Sequence, residues 1–292
     1  MTERTDGGSR WIEIVVAVPA GREDEAGEAL CVEPITGVLV EDGRVVGHAR
    51  AEAWTEAERA ALDRRLAALA PPLTATCSPV TFPDSALDWR ARWRPFRVGR
   101  CAIGAAESLV RLRPADVALA LVPGGAFGTG RHGSTRAALA FLQDVVSRGA
   151  RVLDAGAGSG ILAVAALRFG ASCALAFDVD PNSASCAAEL ARDNGVCDRL
   201  EFRTGGFEVL TDADRGFDVV LANLYADLLR SRAADLVGRV APGGAIVLAG
   251  LRAWEADAIE AIYRALGVGI VRRRIRGRWA ALVGRRGETR PE

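Results

Sequence analysis

Residues 152–161, Val-Leu-Asp-Ala-Gly-Ala-Gly-Ser-Gly-Ile, constrain the fold more than any other stretch of this chain. Val152 and Leu153 end a short apolar run suited to a buried strand, and the apolar stretch 161–167 suits a helix. Between them, glycines alternate at positions 156, 158 and 160. Glycine allows a sharp backbone turn and lets a ligand approach without a Cβ in the way. The stretch therefore predicts a strand, a tight glycine turn and a helix that hold a nucleotide-like ligand.

From residue 151 onward, strand-like and helix-like segments alternate. The predicted strands are 151–155, 173–178, 199–203, 217–222 and 244–249, and the predicted helices are 160–169, 181–194, 225–240 and 253–266. This alternation predicts a mostly parallel, doubly wound α/β sheet. Two last runs, 268–275 and 278–284, predict a C-terminal antiparallel hairpin joined at Arg276-Gly277. With a strand at 117–122 and a helix at 136–146, we expect this domain to span 116–292.

Residues 10–85 predict a separate small α+β domain. The order is a strand (11–18), a helix (22–31), a hairpin (37–46), a helix from Thr55 and a strand (74–82). Asp42-Gly43 is a strong hairpin signal, and Thr55 with Glu58 forms a capping-box pattern. This order is typical of a ferredoxin-like domain. Since nothing in it resembles an active site, we expect a recognition module.

We expect residues 1–9 to be a disordered tail and 86–115 to be a linker. The segment 88–97 is dense in tryptophan and arginine. It fits a linker whose aromatic side chains cap the small domain, which is the favoured interpretation. It also fits a contact surface for a partner or nucleic acid.

Composition limits the classes of partner. The 292-residue chain has 37 basic and 37 acidic side chains, and all the basic ones are arginine, so no global field favours nucleic acid or an acidic membrane. No secretory signal pattern or long uncharged apolar run is evident. The six cysteines are scattered without a C-x-x-C pair. We therefore expect a cytoplasmic protein with reduced thiols, no metal site, no membrane association and no direct nucleic acid recognition.

Two acidic residues narrow the choice of ligand. The dinucleotide pattern requires G-x-G-x-x-G, but Ile161 stands where its third glycine would be. Asp154, just before the turn, repels phosphate and suits a positively charged ligand. Asp178, at the end of the next strand, can accept hydrogen bonds from both ribose hydroxyls. S-adenosylmethionine has a ribose, an adenine, a sulfonium and an amino group but no phosphate, so it fits this pair. We expect Asp180 to cap the helix that begins at Pro181.

Two further segments carry candidate site residues. Asn223 follows the strand 217–222, at the end where parallel sheets bind ligands, and its carboxamide can accept from a substrate amine. Within the segment 123–135, a loop with four glycines, at positions 124, 125, 128 and 130, precedes a helix. It fits an anion cradle or a tight surface loop equally well, but no Walker sequence is present.

Four motifs together resemble a known family, the PrmA-type ribosomal protein methyltransferases, which modify the eleventh protein of the large ribosomal subunit. The motifs are Ala-Phe-Gly-Thr-Gly-x-His-x-Ser-Thr at 126–135, Asp-x-Gly-x-Gly-Ser-Gly-Ile-Leu-Ala at 154–163, Asp-x-Asp-Pro at 178–181 and Ala-Asn-Leu-Tyr-Ala at 222–226. The segment 242–251 and the closing strand at Trp279 also fit. The resemblance is close over the C-terminal two-thirds, and the loop at 126–135 is its most specific part.

The resemblance implies a class I methyltransferase sheet of Rossmann-like topology, with S-adenosylmethionine as cofactor. It implies that Thr135, Gly156, Asp178 and Asn223 contact the cofactor. From their positions we also expect Asp154 and Gly158 to contact the cofactor and Asn223 to orient the nucleophile. The small first domain would recognise the ribosomal protein. The chain departs from many members at Arg131, Gly133 and Val122, which bears on substrate choice and loop rigidity.

Methyl transfer to an amine is an in-line displacement in which positioning and desolvation matter most. A lysine has a pKa near ~10.4 in water, and entry into an apolar pocket lowers that pKa, so no dedicated base is required. His132 is an alternative base, although a structural role in its loop is favoured. The leading hypothesis is an N-methyltransferase acting on lysine or α-amino groups of a ribosomal protein. The alternatives are the same fold acting on another protein or a small molecule, and a non-catalytic dinucleotide-binding or scaffold protein.

Overall fold

The structure is a computed structural model that describes residues 9–19, 22–30, 32, 34–41, 43–82, 95–106, 109, 112–113, 116–121, 130 and 132–287. The chain forms two compact units, Met1–Trp93 and Arg94–Glu292, and each is described by itself. Within the described residues, no helix is long and apolar enough to cross a membrane.

In its described residues, the first unit is an antiparallel sheet with two helices. Its elements are β1 (Ser9–Ala17), α1 (Glu23–Leu30), β2 (Ile35–Glu41), β3 (Arg44–Arg50), α2 (Glu56–Ala67) and β4 (Ala75–Phe82). The strand order is β2-β3-β1-β4 and every pairing is antiparallel, which is the ferredoxin-like arrangement that the sequence predicts. Thr55 caps α2 by accepting from the Glu58 amide at 3.4 Å. Ile14, Leu30, Leu62 and Leu66 are fully buried or nearly so between sheet and helices.

The second unit begins with a small sheet that sequence analysis did not anticipate. β5 (Phe96–Val98) pairs antiparallel with β6 (Cys101–Gly104), which pairs parallel with β7 (Val117–Ala120). Two of these strands fall inside the predicted linker 86–115, so that assignment is wrong for 96–98 and 101–104. The strands are three and four residues long, too short for a periodic pattern to distinguish them from a loop. Residues 83–94, which carry most of the tryptophan- and arginine-rich segment, lie outside the described residues.

The main sheet has seven strands in the order β10-β9-β8-β11-β12-β14-β13. Its strands are β8 (Arg151–Ala155), β9 (Cys173–Asp178), β10 (Leu200–Thr204), β11 (Phe217–Asn223), β12 (Val240–Arg252), β13 (Val268–Arg276) and β14 (Trp279–Arg286). The first five run parallel to one another, and β14 inserts antiparallel between β12 and β13. The fold is thus the Rossmann-like methyltransferase sheet that was predicted, including the C-terminal hairpin.

Six helices accompany this sheet in the described part of the second unit. They are α3 (Gly133–Val145), α4 (Ile161–Phe169), α5 (Pro181–Asp193), α6 (Ala226–Ser231), α7 (Ala233–Arg239) and α8 (Ala256–Ala265). The single helix expected at 225–240 is two helices, because Arg232 takes φ −106° and ψ 12° and interrupts the ladder. The helix expected at 253–266 begins with a short 3₁₀ turn, Ala253–Glu255. Helix α3 begins three residues earlier than expected, which brings Thr135 into its first turn.

Candidate active site

Three of the predicted site residues lie at one level along the carboxyl edge of the main sheet. Ala155 of β8 pairs with Phe177 of β9 on one side and with Ala222 of β11 on the other. The residues that follow Ala155, Phe177 and Ala222 are Gly156, Asp178 and Asn223, respectively. β8 and β11 flank the point where the strand order reverses, which is where open parallel sheets bind ligands. The register alone therefore brings the glycine turn, the acid and the amide together.

The glycine turn needs its glycines for two different reasons. Gly156, Gly158 and Gly160 have φ values of 69°, 51° and 74°, in the left-handed region that other residues rarely adopt. A Cβ on Gly156 would also overlap Cδ2 of Leu224, and one on Gly160 would lie 2.8 Å from Cβ of Ala187. The turn thus combines positive φ with close packing against the residue after β11 and against α5.

Asp178 organises the turn with both of its carboxylate oxygens. Oδ2 accepts from the Gly158 amide at 2.7 Å, and Oδ1 accepts from the Asp180 amide at 2.9 Å. Each oxygen keeps a second acceptor site, as a ribose hydroxyl would need. The predicted capping role of Asp180 is confirmed, since its side chain accepts from the Asn182 amide at 2.9 Å.

Asp154 is fully buried, which sequence analysis did not foresee. Its Oδ2 accepts from the Ala163 amide at 3.0 Å, so the carboxyl caps the first turn of α4. Its Oδ1 is buried and has no hydrogen-bond partner among the described residues. Burial, opposed by the Ala163 bond and reinforced by nearby Asp178, raises the pKa of Asp154 to about 7. A cationic ligand nearby would favour the ionised carboxylate and lower that pKa.

Asn223 and Thr135 are in direct contact. Asn223 Nδ2 donates to Thr135 Oγ1 at 3.3 Å, and Thr135 is 1% exposed at the start of α3. Asn223 Oδ1 is buried and accepts no hydrogen bond from a described residue. The bond to Thr135 fixes the amide plane, so a single acceptor oxygen is left for a ligand at the edge of the sheet.

The predicted cradle before α3 is described only at its end. Residues 122–129 and 131 lie outside the described residues, and with them the glycines 124, 125 and 128 and the departures at Val122 and Arg131. Gly130 has φ 75°, and a Cβ there would lie 2.8 Å from Cδ1 of Ile161. Gly133 is buried as the first residue of α3.

Comparison with known proteins identifies the family. A family model described as "Ribosomal protein L11 methyltransferase (PrmA)" matches residues 10–287. The chain belongs to this family. A relative from Pelotomaculum thermopropionicum, named ribosomal protein L11 methyltransferase, is 30% identical over 94% of this chain and 98% of its own length. Another of that name, from Pelobacter propionicus, is 37% identical over 72% of this chain and 69% of its own length.

A solved structure supports the same assignment. The crystal structure of a ribosomal protein L11 methylase from Lactobacillus delbrueckii subsp. bulgaricus is 26% identical, with a TM-score of 0.60. It covers 67% of this chain and all of that chain. The predicted family, the methyltransferase class of enzyme and the Rossmann-like fold are therefore confirmed. The roles assigned to individual residues stay predictions.

Within this member of the ribosomal protein L11 methyltransferase family, sequence reasoning missed one cluster next to the site. His132 packs edge-on against Trp279, with ring centroids 4.5 Å apart, and the Arg252 guanidinium lies 4.3 Å from the Trp279 centroid. Trp279 pairs with Arg252 across β14 and β12, which places it at the same edge of the sheet as Asn223. Its buried indole Nε1 has no acceptor among the described residues.

This cluster bears on the alternative roles of His132. Its Nδ1 lies 2.8 Å from Ser134 Oγ while its ring packs on Trp279. These contacts favour the structural role over that of a general base. Trp279 lies 147 residues from His132 in the chain, so no local pattern could predict their contact. The only sequence signal for this cluster was the closing strand at Trp279.

Proposed function

We propose that this protein transfers methyl groups from S-adenosylmethionine to lysine or α-amino groups of ribosomal protein L11. The proposal rests on the half-buried Asn223 amide, which donates to Thr135 and whose buried Oδ1 has no partner among the described residues. An acceptor of this kind can bind an amine N–H and aim the nitrogen lone pair at a methyl carbon. The names of the family and of its relatives supply the substrate.

The remaining predicted residues would hold the cofactor. Asp178 would accept from the ribose hydroxyls with its two unused acceptor sites. The glycine turn, including Gly156 and Gly158, would let the cofactor lie against the backbone. Asp154, under the turn, would stabilise the cofactor's positive charge once ionised. Thr135 would hold Asn223 in place through their hydrogen bond and would also contact the cofactor.

The reaction then requires little acid–base machinery. The lysine or α-amine must lose a proton before its lone pair attacks, and burial beside a sulfonium lowers its pKa. As the nitrogen–carbon bond forms, the carbon–sulfur bond breaks and S-adenosylhomocysteine leaves with the electron pair. Asn223 Oδ1 would orient the amine, while the first domain would bind the rest of the ribosomal protein. Methylation of a ribosomal protein would place the chain in the cytoplasm, where those proteins are made.

The test is mass spectrometry of purified ribosomal protein L11 after incubation with enzyme and S-adenosylmethionine. We expect mass increments of methyl groups on lysine or the N-terminal amine. Because the chain contains no lysine, methyl-lysine after digestion cannot come from the enzyme itself. Asn223→Ala should lose far more turnover than cofactor affinity, the latter measured by calorimetry.

Two outcomes would contradict the proposal. If the wild-type protein binds S-adenosylmethionine but leaves ribosomal protein L11 unmodified, the substrate is another protein or a small molecule. If it binds no S-adenosylmethionine, the cofactor assignment itself is wrong.

A further inference from the structure

A pocket of about 190 Å³ opens in the second unit, and its lining includes neither Asn223 nor Thr135. It lies between β5, α3 and β13, and the residues that line it are Arg97, Val98, Gly99, Arg136, Ala140, Arg274 and Ile275. Among the described residues, the lining thus contains three arginines and no acidic side chain. Nothing in the methyl-transfer proposal uses this pocket.

Its position next to the active site does not make it part of that site. Arg136 follows Thr135 in α3, but its side chain takes a different direction. Its guanidinium lies 5.1 Å from the centroid of the Phe96 ring and donates to the Arg97 carbonyl at 3.2 Å. Thr135 contacts Asn223, whereas Arg136 contacts β5.

Arg274 has no carboxylate partner among the described residues. Its neighbours on β13 have carboxylate partners, since Arg272 pairs with Asp144 and Arg273 with Asp257. Arg274 lies over the Phe141 ring at 5.5 Å, and no described carboxylate lies within ion-pair distance of it. A guanidinium held in place by an aromatic face but without a counter-charge is suited to an external anion.

The other two arginines are held in place by the fold. Arg97 is paired at 2.5 Å with Asp116, a side chain that is 4% exposed. The turn after β5 is docked on α3, because Gln143 Oε1 accepts from the Arg100 amide at 2.9 Å. Gly99 has φ 57° there, and a Cβ would lie 2.5 Å from the same oxygen. A preformed site of this kind has little conformational entropy to lose on binding.

We propose that this pocket binds a phosphate-type oxyanion through Arg97, Arg136 and Arg274. Guanidinium groups bind phosphate oxygens with paired N–H donors, and three of them converge here from three elements. Two sources supply this chemistry, namely free phosphate and the phosphodiester backbone of RNA. The zero net charge of the chain means that its overall electrostatic field does not attract nucleic acid. A local cluster of three arginines can still bind an anion.

Calorimetric titration of the full chain with inorganic phosphate, in a phosphate-free buffer at low ionic strength, tests the proposal. We expect saturable binding to the wild type and a loss of about tenfold or more in affinity, equivalent to about 1.4 kcal/mol, in Arg274→Gln. Arg274→Lys keeps the charge and should retain part of the affinity. The matched control is Arg192→Gln, which removes one exposed arginine from α5, outside the pocket. Thermal melts of each variant without phosphate show whether it is folded.

Anisotropy with a labelled single-stranded RNA distinguishes the two sources. If the site takes RNA phosphate, RNA binding falls in Arg274→Gln and inorganic phosphate competes with it. If the site takes free phosphate, RNA does not displace phosphate. The proposal is overturned if the folded wild type shows no phosphate binding, or if Arg192→Gln weakens it as much as Arg274→Gln.

Discussion

Asn223 Nδ2 donates a hydrogen bond to Thr135 Oγ1 at 3.3 Å, which joins the end of β11 to the first turn of α3. The two residues are 88 positions apart in the chain. The bond engages the donor end of the amide and leaves Oδ1 buried without a partner among the described residues. Thr135 thus decides which end of the Asn223 amide is left without an internal partner, and under the proposed function this end binds the incoming amine.

Replacing Thr135 by valine should lower kcat while leaving the fold intact. Valine has nearly the same shape but no hydroxyl, so Asn223 Nδ2 loses its acceptor and the amide is free to rotate. We expect a fall of about tenfold in kcat, corresponding to about 1.4 kcal/mol. Steady-state kinetics with ribosomal protein L11 measure this. Thr135→Ser keeps the hydroxyl and should retain most of the wild-type rate. Equal rates for Thr135→Val and the wild type would refute the proposed role of Thr135 in orienting Asn223.

Asp178→Ala should weaken cofactor binding by about tenfold to a hundredfold, equivalent to about 1.4–2.8 kcal/mol. The carboxylate binds the amides of Gly158 and Asp180 and would also bind the ribose, so its removal loosens the turn and removes an acceptor. Titration calorimetry with S-adenosylhomocysteine measures the affinity. Asp180→Ala is the control: it removes a helix cap, at a cost of about 0.5–2 kcal/mol in unfolding free energy. The affinity of that variant should stay within about twofold of wild type.

The buried Asp154 predicts a distinctive dependence of stability on pH. Its pKa is raised to about 7 in the folded protein, against 3.8 ordinarily, so the folded state keeps a proton that the unfolded state has released. Between these two values the unfolded state binds fewer protons, and the free energy of unfolding falls as pH rises. This loss is absent below pH 3.8 and complete above about 7.

Urea unfolding of the wild type and Asp154→Asn, from pH 5 to 8, measures this dependence. Asparagine can still accept from the Ala163 amide but has no charge to bury. The variant should therefore gain stability relative to wild type as pH rises, and the difference should level off above about pH 7. Parallel profiles for the two proteins would show that Asp154 does not titrate in this range.

Gly156→Ala should destabilise the protein more than Gly149→Ala. Both glycines have positive φ, 69° and 83°, so an alanine is strained by about 1–2 kcal/mol at either position. At Gly149 a Cβ would have no described atom within 4 Å, whereas at Gly156 it would overlap Leu224. We expect Gly156→Ala to cost about 1–3 kcal/mol more in unfolding free energy, as overpacking does.

Combining Gly156→Ala with Leu224→Ala separates the two contributions. In a double-mutant cycle measured by urea unfolding, the two substitutions together should cost less unfolding free energy than the sum of their separate costs. The reason is that the shortened Leu224 side chain no longer meets the new methyl group. The double variant should still be destabilised by the strain of an alanine with positive φ at position 156. Additive effects would mean that the Leu224 contact does not contribute.

Local patterns predicted the parts of this protein that depend on neighbours in sequence. The glycine turn at 156–160, the cap at Asp180 and the capping of α2 by Thr55 were predicted correctly, because turns and caps form within a few residues. The alternation of strands and helices likewise predicted the Rossmann-like sheet with its antiparallel hairpin. Strands β5 and β6 were missed because their short segments are stabilised by each other and by β7.

The sequence by itself determined which residue types stand at the carboxyl ends of the strands: a glycine turn, Asp178 and Asn223. Only the tertiary structure decided what each one contacts. It buried Asp154 as a helix cap, set Thr135 beside Asn223, placed Trp279 against His132 and brought three arginines to one pocket. These contacts join residues far apart in the chain, and strand register and helix packing bring them together. The spacing of residues in the sequence does not show strand register or helix packing directly.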